Sequence, residues 1–141
     1  MRIVFDPSTL HQSKKGSVTG VVYFDFGEDR QFPVAGWNDF VVVIAGWWLA
    51  ALDTFALTKA DTVLRFMDGP FWVAVLAEEG SKVRLRCIED RLGAGLVQEA
   101  VVDEAGLRRE LTAFAQAVSH ACVAAQIESV ELNNLRELLP N

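Results

Sequence analysis

Ser119, His120 and Cys122 bring a hydroxyl, an imidazole and a thiol within four residues. Those types could form a nucleophile with its base, or part of a metal site. The surrounding periodicity separates them. Advancing about 100° per residue from Leu107, the residues Leu111, Phe114, Val118, Ala121, Cys122 and Ala125 form one apolar stripe, whereas His120 points about 220° away from Leu107. Adjacent helical residues do not face each other, so Ser119 and His120 make no pair. A metal site needs about four converging ligands, and two distant cysteines with two distant histidines supply them poorly. The expectation is a surface histidine, with no metal, no cofactor and no catalysis.

Carboxylates offer a second chemistry. They come in pairs at Glu28-Asp29, Glu78-Glu79, Glu89-Asp90 and Asp103-Glu104. General acid–base work needs two carboxylates converging in a cleft, one of them with a raised pKa. Three of these pairs fall in turns and the fourth opens a helix, so turn chemistry and capping account for them. Gly93-Ala94-Gly95 lacks the continuation of a phosphate-binding loop and reads as a turn. Of the four tryptophans, Trp37, Trp47, Trp48 and Trp72, an exposed one would be a partner anchor. Trp47 reads as core within an apolar helix; Trp48, about 100° further round, is the candidate for the domain edge. The partner-binding candidates are therefore Asp25, Glu28, Asp29, Glu78, Glu79, Glu89, Asp90 and Trp48.

The elements that must position these groups follow from patterning. Alternation and turn signals predict strands at 2–6, 18–26, 62–67, 71–77 and 82–88, leave 30–32 and 96–102 open as two more, and make 11–17 a polar loop. Along 82–88, Val83, Leu85 and Cys87 face one way and Lys82, Arg84 and Arg86 the other, as in a sheet with one wet face. Asn38 reads as the N-cap of a helix over 38–57, with Asp39 at its positive end. Its segment from Phe40 to Leu52 carries no charge, so it should be buried between other layers. A helix over 104–126, capped by Asp103, and one over 130–139, capped by Ser129, form a C-terminal pair. The fold class is α+β: one domain over 1–141, with an antiparallel sheet of about five to seven strands packed by the central helix.

Composition narrows the function. Nineteen Asp and Glu against thirteen Lys and Arg give a net charge of −6, without the basic patch that nucleic acid requires. Asp39 and Asp53 bracket the apolar run at a length typical of a core helix rather than a membrane span. The N-terminal stretch is too short for a secretory leader, and two cysteines far apart suit buried thiols in the cytoplasm.

Phe32-Pro33, Trp37-Asn38-Asp39-Phe40, Trp47-Trp48 and Phe66-Met67-Asp68-Gly69-Pro70-Phe71 form a recognisable set. Across residues 20–90 the chain resembles small bacterial proteins of the polymorphic-toxin immunity type. That resemblance implies an α+β fold and stoichiometric neutralisation of a cognate toxin, without catalysis. Its motif residues read as structural and carry no binding site over. The expected partner is a protein, with the acidic balance suited to a basic toxin domain; a homodimer stays open. The rival readings are an acidic dimer of secretion-chaperone type and a small-molecule binder with a Trp-lined pocket.

Overall fold

Period-two alternation makes β2 (Val18–Asp25), which buries Val18, Gly20, Val22 and Phe24 on one face. The computed structural model describes residues 1–140; Asn141, the last residue of the expected domain, lies outside them. β1 (Arg2–Gln12) runs antiparallel to β2, with an irregularity between Asp6 and His11. The expected Asp6-Pro7-Ser8 turn is therefore a bulge rather than an end. Asp6 Oδ1 accepts from the Ser8 N–H and hydroxyl, and the Thr9 hydroxyl accepts from the Val21 N–H at 2.8 Å. The strand then continues to Gln12, into the stretch expected to be a polar loop. β3 (Gln31–Phe32) and β4 (Asn38–Asp39) both pair with β2 and complete the first sheet.

The second sheet is antiparallel throughout, in the order β5 (Thr62–Arg65), β6 (Phe71–Ala77), β7 (Lys82–Asp90), β8 (Ala94–Asp103). The expected single sheet of five to seven strands is thus two sheets of four. The cause is α1 (Val41–Thr58), a helix too apolar for one sheet to cover. It packs on β2 of the first sheet and β5 of the second, and also against α2 (Glu104–Ala124) and α3 (Val130–Leu138). By length and composition alone α1 could cross a membrane, with a mean hydropathy of 1.7 over 18 residues. Here eight of its side chains lie in the core, which joins buried residues of both sheets and all three helices.

Trp48 is the keystone of that core. Its ring lies 5.4 Å from Phe24 of the first sheet, 5.2 Å from Phe66 beyond β5, and 5.5 Å from Phe114 of α2. Its indole N–H donates to the Arg65 carbonyl at 2.7 Å, so the one polar atom it buries is satisfied.

Asp39 corrects another expectation. It sits before α1, which starts at Val41, and Asn38 pairs with Val21 instead of capping the helix. The Asp39 carboxylate is 1% exposed and gathers four donors: the Trp37 indole N–H and the backbone N–H groups of Phe40, Met67 and Asp68. One carboxylate thus ties the Trp37–Phe40 segment to the β5–β6 turn. In that turn Gly69 has φ +73°, and an added Cβ would come 3.0 Å from the Phe71 ring and 3.1 Å from Trp37. At the C-terminal pair, Asp103 makes no capping bond and reaches Lys82 at 2.9 Å, whereas Ser129 Oγ accepts from the Leu132 N–H as a cap should.

Candidate functional site

The acidic candidates do not form one surface. Asp25 closes β2 beside Arg2 and Gln31, and the Gly27 N–H, Gln31 and Arg2 hold its carboxyl below the usual range. Glu28 and Asp29 form the exposed β2–β3 turn, with φ of 51° and 61°. Glu78 and Glu79 lie at one end of β7 and Glu89 and Asp90 at the other, roughly 25 Å apart at about 3.3 Å per residue. Glu78 bonds Arg84 at 2.8 Å and Glu89 bonds Arg91 at 2.9 Å. Trp48 is fully buried and cannot meet a partner; that expectation fails because its face of α1 points at both sheets. The exposed one is Trp47, at 47%.

The wet face expected along 82–88 is the outer face of the second sheet, and what the sequence did not show is how apolar that face is. Residues directly opposite in antiparallel strands share a face. Along one row Val63, Ala74, Arg86 and Glu99 stand side by side; along the next stand Arg65, Trp72, Ile88 and Leu96. The row on the other side holds Leu76, Arg84 and Val101. Arg84 and Arg86 do face solvent as the alternation required, but they share the face with Val63, Trp72, Leu76, Ile88 and Val101. β6 is apolar on both faces, so its period of two is invisible in the sequence. A register shift between Cys87 and Ile88 leaves Val97 as the extra residue of β8, 56% exposed.

No helix lies across this face among the described residues. Ala74 is the small member of its row, and Trp72 and Leu76 flank it on the same strand, two residues away each side. The hollow so formed has a volume of about 530 Å³. Arg84 is held by Glu78 at 2.8 Å and by Glu99 at 3.4 Å. Arg86 Nε lies 3.5 Å from Glu99 Oε2, shielded from solvent and without a hydrogen bond. The Arg65 guanidinium stacks over the Trp72 ring at 4.9 Å.

A second apolar surface runs along α1. Trp47, Ala50, Thr54 and Leu57 are exposed there, Leu57 by 88%, and a hollow of about 230 Å³ lies between Trp47 and Leu138 of α3. The expectation that α1 is buried all round fails along this stripe.

The chemistry-bearing residues of α2 stay apart. His120 is exposed, Ser119 is buried, and Cys122 lies inside the core. Both cysteines are free; burial pushes the Cys87 thiol up to about 12 and raises that of Cys122 as well. Thiols held protonated are poor nucleophiles and poor ligands. Among the described residues no three His, Cys, Asp or Glu side chains come together as a metal-holding group.

The fold and this face define a two-sheet α+β domain with three helices and one uncovered, half-apolar sheet surface. Comparison with known proteins found no matching family model, no matching curated protein and no matching solved structure.

Proposed function

We propose that the chain is a non-enzymatic protein-binding module that engages its partner through the outer face of the second sheet. One observation carries the reading: a sheet face open to solvent holds Trp72, Leu76, Ile88, Val63 and Val101 around a hollow, where a wet face would be polar. Three strand spacings by the length of β6 give roughly 14 by 20 Å, on the order of 300 Å² in plan. About half of that face is apolar, and the largest apolar patch on a monomer is often functional. Trp72 is the anchor residue type for such a surface, and arginines are the charged residues enriched there.

The immunity-type resemblance of the central motifs gives this module a role: stoichiometric neutralisation of a cognate toxin. The acidic turns at the two ends of β7, Glu78-Glu79 and Glu89-Asp90, would then form a polar rim for basic residues of the toxin domain. The Trp47 stripe supports the runner-up, a homodimer joined through α1.

The test takes the protein encoded beside this chain in its genome of origin. Co-expression should relieve that protein's toxicity, and the purified pair should form a one-to-one complex by size-exclusion with light scattering. A neighbour that is harmless alone, or a toxic one that neither binds the chain nor is relieved by it, overturns the immunity reading.

A further inference from the structure

We infer that the hollow on the second sheet receives an extended, apolar segment of the protein partner bearing one carboxylate, which meets the Arg86 guanidinium. The inference rests on the proposed binding face and adds the chemistry of what enters it. Arg86 stands beside Ala74, so its guanidinium borders the hollow. Two guanidiniums compete for Glu99, and Arg84 already takes Glu78 at 2.8 Å. Arg86 Nε is left in a long ion pair, 3.5 Å from Glu99 Oε2, with no hydrogen bond among the described residues. Nε itself is shielded, but the Arg86 side chain is 42% exposed, so the terminal nitrogens of this loosely held guanidinium are what an incoming carboxylate meets. Arg65, stacked on Trp72, adds a second positive charge on the same face.

The rest of the hollow sets the remaining chemistry. Trp72, Leu76, Ile88 and Val63 contact apolar side chains on either side of the acidic group. Asp61 borders the hollow on the β5 side and Glu99 stands in the Arg86 row, so a multiply charged anion such as phosphate meets repulsion that a single carboxylate largely escapes. From Trp72 to Leu76 the floor runs four residues along β6, roughly 14 Å at about 3.4 Å per residue, the reach of a four-residue extended segment. The site is open along that length, which suits a segment held at both ends by a larger partner.

The probes are N-acetyl-Leu-Glu-Leu-Leu-amide, its Gln counterpart, and octanoate, titrated into the ¹⁵N-labelled full chain. The Glu peptide should shift the Trp72 indole N–H and the Ala74 amide saturably, and the Gln peptide should bind at least fivefold more weakly. Arg86→Gln should reduce the Glu peptide to the Gln level, and Ala74→Leu, which fills the floor, should abolish both responses. Equal binding of the two peptides overturns the carboxylate. Octanoate binding as tightly as the Glu peptide overturns the segment in favour of a small ligand. No shift at Trp72 with any probe overturns the inference outright. Loss of the partner complex on Trp72→Ala is read separately, so the binding-face proposal stands or falls independently of these peptides.

Discussion

Replacing Asp39 should unfold this domain more readily than replacing any other charged residue. Its carboxylate accepts from the Trp37 indole and from the N–H groups of Phe40, Met67 and Asp68, at 2.7 to 3.2 Å, in a site 1% exposed. Asp39→Ala leaves four shielded donors without an acceptor. At about 1 kcal/mol or more for each such donor, the loss should be about 3–5 kcal/mol. Asp39→Asn keeps one oxygen but turns an NH₂ toward donors, and should cost about 2 kcal/mol on the same scale. Urea unfolding followed by tryptophan fluorescence measures both, as a lower midpoint at unchanged slope. The pH dependence adds a signed check. Burial pushes the Asp39 carboxyl up against the four donors that favour its ionised form. A raised folded-state pKa stabilises most below the unfolded pKa, near 3.9, and that stability is lost as pH rises through the folded value. The gap between the natural chain and Asp39→Ala should therefore narrow as pH rises from about 4. A loss under about 1 kcal/mol for Asp39→Ala, or a gap that widens with pH, would refute the reasoning.

Three further outcomes test the core and its edge. Trp48→Ala should cost about 3–5 kcal/mol in the same unfolding assay, because it empties the junction of both sheets and α2 and orphans the Arg65 carbonyl. Trp47→Ala, on the exposed stripe, should stay within about 1 kcal/mol. Cys87, buried with its thiol pushed up to about 12, should react with a thiol reagent at pH 8 only as fast as the chain unfolds; rapid labelling of the folded chain would contradict its burial.

Much of the fold was legible because local signals agreed. β6 was delimited correctly at 71–77 by Asp68-Gly69-Pro70 and Glu78-Glu79-Gly80-Ser81, and Ser129 announced α3. The failures share one cause, contacts distant in sequence. Asn38 and Asp39 look like a helix start, yet they pair with β2 and meet Met67 and Asp68. Asp103 looks like a cap, yet Lys82, its cross-strand neighbour, takes the carboxylate. Trp47 and Trp48 differ by one position in an uncharged run, so only the packing of two sheets decides which is core. The outer hollow was illegible for the same reason: FWVAVLA carries no polar residue to mark its wet side. The Arg84 and Arg86 alternation did mark that side on β7, and pairing to β6 carries the mark across.

The most direct test of the binding-face claim compares two tryptophans in one experiment. Once the partner is in hand, calorimetry should give Trp72→Ala an affinity about thirtyfold weaker than the natural chain, the effect of losing an anchor worth about 2 kcal/mol. Trp47→Ala should bind as the natural chain does. A partner that loses affinity with Trp47→Ala and ignores Trp72→Ala would place the interface on α1 and contradict the account.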